Sequence, residues 1–325
     1  MTAFRPARRG QGIASDKRMT TAFITHRDCM LHDMGSHHPE CPDRLSAIND
    51  RLIASGLDLY LAFYDAPAAT IDQLTRVHAP EHVRKVMQSA PQKGIVHLDP
   101  DTAMCCDTLQ AALRSAGAGV LATDLVLAGE VENAFCAVRP PGHHAERSQA
   151  MGFCFFNNIA VAARHAIDSH GLQRVAIIDF DVHHGNGTED IFAGDERVLM
   201  VGSFQHPFYP YSGTDNPAPN MLNVPLPAGT RGDGFRQIVS DIWIPRLRQF
   251  APQAMFISAG FDAHYEDDMG SLGLLESDYA WVTQQLKEVA AETADKRIVS
   301  MLEGGYALSA LARSVSTHIK VLADL

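Results

Sequence analysis

No stretch of about 18 apolar residues occurs anywhere in the 325-residue chain, which excludes a transmembrane helix. The six cysteines (Cys29, Cys41, Cys105, Cys106, Cys136 and Cys154) form no Cys-x-x-Cys pair. Neither a zinc ribbon nor a thioredoxin-type site is therefore encoded, and a reduced, cytoplasmic protein is expected. Basic residues are in the minority: 27 Lys+Arg against 38 Asp+Glu leaves a net charge of −11 with His neutral. That balance excludes a broad basic face gripping nucleic-acid phosphates, and docking on an anionic membrane. Internal repeats and low-complexity tracts are also absent. The first 18 residues carry five basic side chains (Arg5, Arg8, Arg9, Lys17, Arg18) and one acidic one (Asp16), but no apolar core. They read as a flexible extension ahead of an alternative start at Met19 rather than as a secretory signal.

What is present is 46% hydrophobic residues, enough for a large core, and 16 histidines, many for this length. Dividing by roughly 150 residues per domain suggests about two domains. The chain pattern argues for one. Short apolar runs at Thr20–Thr25, Asn133–Val138, Arg174–Ile178, Arg197–Val201, Ala254–Ser258 and Arg297–Met301 read as strands. Most are apolar rather than alternating, as expected for parallel strands covered on both faces. Helical patterns fall between or after them, at Leu109–Ala128, Asn157–His170, Gly234–Phe250, Ser277–Ala294 and Leu308–Leu322, with Ser277 and Asp278 placed to cap the fourth. The rhythm predicts one open, mostly parallel α/β sheet flanked by helices, with the long Pro207–Pro227 segment as a functional loop.

Ligands bind beyond the carboxyl ends of strands in such sheets, and the unusual residues of this chain lie there. After Asn133–Val138 comes Arg-Pro-Pro-Gly-His143-His144. After Arg174–Ile178 comes Asp179-Phe-Asp181-Val-His183-His184-Gly-Asn186-Gly. After Ala254–Ser258 comes Ala-Gly-Phe-Asp262-Ala-His264, and after Arg297–Met301 comes Leu-Glu-Gly-Gly-Tyr306. One such end reads as readily as a solvated strand terminus; four together read as a site. Strand period two puts Asp179, Asp181 and His183 on one face. Asp and His suit zinc and related metals, and a catalytic zinc takes about three protein ligands and leaves a position open. Asp181 and His183 supply two, and Asp262 is available as the third. His143 and His144, on a stiff Pro-Pro-Gly turn, suit the acid and base tasks of hydrolysis, with Asp179 and Asn186 available to fix their tautomers. Tyr306 can donate a hydrogen bond to a developing oxyanion.

These motifs, in this order, resemble the zinc-dependent histone deacetylase family, especially its class II and bacterial members. His38-Pro39-Glu40-Cys-Pro-Asp-Arg44-Leu and Leu98-Asp99-Pro-Asp101-Thr add to the likeness, which spans roughly residues 20 to 310. The resemblance implies a single-domain arginase/deacetylase fold over residues 19–325, with a central, mostly parallel sheet of about eight strands. It implies an amidohydrolase with one Zn2+ on Asp181, His183 and Asp262. The acid/base pair would be His143 with Asp179 and His144 with Asn186, and Tyr306 would polarise the acetyl carbonyl. Asn186 in place of the aspartate usual in class I points to class II. Gly152, Phe153 and Tyr209, with Met269 nearby, would line a narrow channel for an acetyl-lysine chain, and Asp101 (or Asp99) would hold the substrate backbone at the rim. Family members also carry K+ as a structural cation. Backbone oxygens of Asp179, Asp181 and His183 would contribute to one site, with Ser203 or its neighbour and Phe204. Phe192, Asp195 and Val198 match a second.

The implied partners are acetylated lysine peptides and proteins or acetylated small amines, with no nucleic acid and no membrane; a homo-oligomer is compatible with the composition. An acetylpolyamine deacetylase, and a non-catalytic acyl-lysine-binding module, are the alternatives. An arginase-like dimanganese site needs more carboxylates than these motifs supply.

Overall fold

The structure, a computed structural model, describes residues 21–325. The expected extension over residues 1–18 and the first residue of the first expected strand, Thr20, lie outside the described residues. In chain order the strands are β1 (Thr21–Thr25), β2 (Ala62–Asp65), β3 (Val96–Asp99), β4 (Thr102–Met104), β5 (Asn133–Cys136), β6 (Val175–Asp179), β7 (Val198–Gln205), β8 (Met221–Leu226), β9 (Ala254–Ala259) and β10 (Ile298–Leu302). The helices are α1 (Asp43–Ser55), α2 (Ile71–Thr75), α3 (Pro80–Ser89), α4 (Thr108–Leu127), α5 (Asn158–His170), α6 (Asn186–Phe192), α7 (Gly232–Ile238), α8 (Ile244–Phe250), α9 (Glu276–Thr293) and α10 (Leu308–Leu322).

Eight strands form one parallel sheet in the order β2-β1-β5-β10-β9-β6-β7-β8, and β3 and β4 pair as a separate hairpin. The protein is thus a single α/β domain with a central eight-stranded sheet. Every residue of β5, β6, β9 and β10 is buried, as two-sided cover demands. The two covering layers are visible at neighbouring residues of β10. Ser300 Oγ lies 2.9 Å from His318 Nε2 on α10. On the opposite face, Met301 meets α4 and α5 beside Gly119, where a Cβ would come within 2.9 Å of Ala162 Cβ and Met301 Sδ. A glycine at that crossing lets the two helices approach.

The chain departs from the sequence expectation in several places. The Pro207–Pro227 segment contains β8, an edge strand whose mixed exposure and Pro225 hide it from apolar patterning. Strand β2 was equally illegible, since Phe63 is an exposed edge residue. The Gly234–Phe250 helix is α7 and α8 joined through a wider turn at Val239–Trp243. Helix α9 starts at Glu276, so Ser277 and Asp278 are not its N-cap; Asp278 instead reaches back from inside the first turn to accept the Leu275 N–H at 2.8 Å.

Candidate active site

The central run of the sheet is β5-β10-β9-β6, four neighbours, and each ends in one of the four polar motifs. Chain order scatters these motifs over more than 160 positions; the sheet order brings them side by side. Asp181, His183 and Asp262 each offer a ligand atom within 4.8 Å of the others, and all three residues are buried. His183 Nδ1 lies 3.0 Å from Asp181 Oδ1 and 3.3 Å from Asp262 Oδ2. Strand pleating is not the cause. β6 stops at Asp179, and a chain of turns takes over: Asp179 Oδ1 accepts the Asp181 N–H at 3.1 Å, and Asp181 Oδ1 accepts the His183 N–H at 2.9 Å. The expectation that a shared strand face aligns the three is corrected accordingly.

The electrostatics of this cluster suit a cation. Burial and the charge of Asp181 push the Asp262 carboxyl up to about 7. Burial disfavours a charged His183, yet its hydrogen bond to Asp181 and the negative charges of Asp262 and Asp181 beside it raise it to about 10. Asp262 Oδ2 is buried without a hydrogen bond. Two carboxylates around one orphaned acceptor make a donor set that a divalent ion would satisfy, with separations close to the roughly 3.3 Å expected between ligands at about 2.0–2.2 Å from a tetrahedral zinc. Gly304 and Gly260 crowd the same carboxylates: a Cβ on either would overlap Asp262 or Asp181, and the Gly304 N–H donates to Asp181 Oδ2 at 2.9 Å.

Two histidines stand over the cluster in opposite states. Burial disfavours the charged form of His143, but Asp181 and Asp179 outweigh it and hold its pKa well above the usual value; its Nδ1 is 2.9 Å from Asp179 Oδ2. His144 is held well below the usual value by burial and by the neighbouring His143 and His183. Its Nδ1 is 2.7 Å from Asn186 Oδ1. Asn186 Nδ2 donates to Glu146 Oε1 at 2.8 Å, and a carboxylate only accepts, which fixes the amide orientation. His144 Nδ1 therefore carries the proton, and Nε2 is left as a free acceptor.

Above these groups opens a cavity of about 360 Å³ whose walls include Asp101, Gly152, Phe153, Phe208, Tyr209, Met269 and Tyr306. Phe208 stacks on His183 with ring centres 5.5 Å apart, and Tyr209 meets His144 edge-on at 5.4 Å. Asp101 Oδ1 accepts the Gly152 N–H at 3.1 Å, while Asp99 lies behind it and accepts the Asp101 N–H. The Tyr306 ring lies under the Arg44 guanidinium at 4.8 Å.

A sequence profile of the histone deacetylase domain matches residues 38–322. The chain belongs to the histone deacetylase family. The histone deacetylase-like amidohydrolase of Pseudomonas aeruginosa is 36% identical over 310 residues, covering 88% of this chain and 81% of that protein. Mouse polyamine deacetylase HDAC10 is 36% identical over 332 residues, covering 94% of this chain but 48% of that protein. The crystal structure of the HDA15 HD domain matches with a TM-score of 0.89 at 33% identity, covering 94% of this chain and 88% of that one.

Around this deacetylase-family site lie residues that pattern reading passed over. Phe208, beside the expected Tyr209, is a wall residue; an aromatic pair just past a strand end was the available signal. Asp267 is buried and binds three backbone N–H groups, those of Met269, Tyr306 and Ala307, at 3.0, 2.6 and 2.9 Å. It ties the Tyr306 loop to the Asp262 loop. Glu303 takes the N–H groups of Gly142 and His143 at 2.7 and 3.1 Å, anchoring the two-histidine turn. His184 and His264 act in support: His184 bridges Glu189 and Ser212 at 2.7 and 2.9 Å, and His264 accepts the Glu266 N–H.

The two expected cation sites fare differently. Asp179 pairs with Gly202 across β6 and β7, so Ser203 and Phe204 run alongside the turn that carries Asp181 and His183. At the second, the carbonyls of Phe192, Asp195 and Val198 all accept from Asn220 Nδ2, at 2.9, 3.2 and 3.0 Å. An amide donor thus serves the three oxygens expected to face a cation.

Proposed function

We propose that this protein hydrolyses N-acetyl groups from amines borne on extended, lysine-like chains, with residues 19–325 as its catalytic domain and one zinc ion held by Asp181, His183 and Asp262. The observation that carries the reading is the buried Asp/His/Asp cluster at the floor of an aromatic-walled cavity, under one neutral and one charged histidine. Zinc, when bound, supplies a Lewis acid that polarises the amide carbonyl and acidifies water.

The chain's own groups supply the rest. His144 Nε2 takes the proton of the attacking water, and Asn186 holds the ring in the tautomer that permits this. His143, paired with Asp179, keeps its positive charge beside the site and holds His144 neutral until that transfer. Tyr306 stays a phenol, because burial raises its pKa well above 10 against the opposing pull of Arg44. It donates a hydrogen bond to the oxyanion as the carbonyl becomes tetrahedral. The amide C–N bond then breaks, the histidine pair returns a proton to the leaving nitrogen, and acetate and a free amine depart.

Phe153, Phe208 and Tyr209 bury the methylenes of the side chain. Asp101, held by the Gly152 N–H, takes the substrate backbone, and Met269 closes the wall. Asp268, exposed beside the cavity, adds negative charge for a cationic substrate. A single structural potassium ion is assigned to the Asp179–His183 turn with Ser203 and Phe204. The six unpaired cysteines suit a reducing compartment such as the cytoplasm.

The test is side-by-side turnover of acetyl-lysine peptides, longer acyl-lysines and acetylpolyamines by protein of measured zinc content. Acetyl-lysine cleavage that Tyr306→Phe lowers by about a hundredfold or more is expected. Preferential cleavage of acetylpolyamines would move the substrate class. Zinc-loaded protein that cleaves none of the three would overturn the reading.

A further inference from the structure

A second cluster of metal-ligating side chains lies outside the cavity. Asp124 on α4 and His165 and His170 on α5 bring their ligand atoms within 4.8 Å of one another. One carboxylate oxygen, Asp124 Oδ1, is 2.8 Å from His165 Nε2 and 2.7 Å from His170 Nε2. The two rings stand 5.4 Å apart at 79°, with both Nε2 atoms turned to the same point. His165 and His170 lie on the carboxyl-terminal half of α5, whereas the first residue before that helix, Asn157, binds the loop after His144. A 13-residue helix spans about 20 Å, so the cluster is remote from the candidate active site.

The spacing is not that of a single helix face. Positions five apart are about 140° apart around an α-helix, so His170 reaches Asp124 only because it is the terminal residue, ahead of Gly171 in the left-handed region. The helix carboxyl end adds partial negative charge that favours a cation there. The side chains grade outward, from 10% exposed at His165 through 30% at His170 to 49% at Asp124, leaving an open side for water. Arg76, which donates to Ser169 Oγ at 2.9 Å, is itself paired with Asp72 at 2.7 Å.

We infer that Asp124, His165 and His170 form a second metal site, for a borderline divalent ion of the zinc class, that clamps α4 to α5. Two imidazoles and one carboxylate fit such an ion, whereas calcium and magnesium prefer all-oxygen cages. Binding requires each Nε2 to lose its proton and the other ring nitrogen to carry one. For His165 the acceptor is in place: Ser169 Oγ is 3.1 Å from Nδ1. Metal-bound histidines characteristically donate that second N–H to a fixed acceptor. The ligand atoms must also spread from hydrogen-bond distance to roughly 3.3 Å about a tetrahedral ion. Asp124 and His170, both partly exposed, have the freedom to do so. The buried Asp181/His183/Asp262 cluster is already spread, so it fills first and the surface site second.

The experiment titrates the full-length protein with zinc, free zinc being buffered through the micromolar range, and counts ions per chain. Two ions are expected for the unaltered protein. His170→Ala and Asp124→Asn should each take up one, with amide turnover unchanged, and Ser169→Ala should weaken the second step about tenfold. Asp181→Ala should lose the other ion and keep this one, so failure here is distinguishable from failure of the zinc-hydrolase reading. Thermal melts provide the second readout: zinc in excess of one equivalent should raise the midpoint of the unaltered protein and not that of His170→Ala. Equal zinc stoichiometry and equal melting shifts in the unaltered protein and His170→Ala would overturn the site.

Discussion

Replacing Glu40 with Gln removes one charge and almost no volume from a place sealed from water. Glu40, Arg44, Arg139 and His32 are all fully buried. Glu40 Oε1 accepts from Arg44 Nη1 at 3.0 Å and from Arg139 Nε; Oε2 accepts from Arg139 Nη2 at 2.6 Å and faces His32 Nε2 at 3.3 Å. A glutamine amide retains one of these oxygens and turns an NH2 donor toward guanidinium donors in place of the other. Either orientation leaves two buried guanidinium groups without a countercharge. Breaking a buried ion pair from one side costs about 3–5 kcal/mol, against a total stability of about 5–15 kcal/mol for a typical domain.

Urea unfolding at neutral pH should show that loss as a lower midpoint at unchanged slope. Burial opposes ionisation of Glu40, but Arg139, His32 and Arg44 outweigh it and hold the carboxyl well below its usual 4.5. A depressed carboxyl contributes stability that is complete above the unfolded value and fades as pH falls toward the folded one. The gap between the two proteins should therefore be widest above pH 4.5 and narrow in acid. Turnover should fall too, because Arg44 also donates to the Gly305 and Glu303 carbonyls at 2.6 and 2.5 Å and so holds the Tyr306 loop. A loss under about 1 kcal/mol at pH 7, or a gap that widens in acid, would refute the reasoning.

Asp267→Ala should keep its zinc yet lose turnover by about a hundredfold, the scale of one lost oxyanion donor, and should cost little further when combined with Tyr306→Phe; full additivity would mean Asp267 does not act through Tyr306. Asn220→Ala should cost about 1–3 kcal/mol by removing the side-chain donor that three carbonyls share, and potassium should restore part of that loss beyond any effect on the unaltered protein; melts in sodium and potassium buffers decide it. Burial opposes ionisation of Cys105, but hydrogen bonds from His32 and Thr108 bring its thiol down to about 6, while Asp107 raises that of Cys106. Iodoacetamide at neutral pH should therefore label Cys105 ahead of the more exposed Cys106, with a rate midpoint near pH 6; labelling in the reverse order would contradict this.

The amino-acid sequence alone determined where the chemistry lies along the chain and why. Apolar runs of five or six residues mark β5, β6, β9 and β10 because a parallel strand with helices on both faces has no exposed side to alternate. The polar motifs that follow them are legible because Asp, His and Tyr gather at strand ends only where a site is built. The single α/β sheet and the family followed from the same features.

Partnership across the fold was decided by the tertiary structure. Periodicity reports on neighbours a few positions away, but Glu40 meets Arg139 from 99 positions away and Arg44 reaches the Glu303 carbonyl from 259. Asp267, Glu303 and Glu146 are ordinary acidic residues until backbone N–H groups or an amide are delivered to them by loops and a helix end of the folded chain. Asn220 sits in a stretch that reads as loop, and only the pairing of β8 with β7 brings its amide to three carbonyls. Edge strands β2 and β8 were missed for the complementary reason, since a half-exposed strand loses the apolar run that betrays a buried one. A residue's type limits the bonds it can make, but which bond forms depends on the group that the folded chain places opposite it.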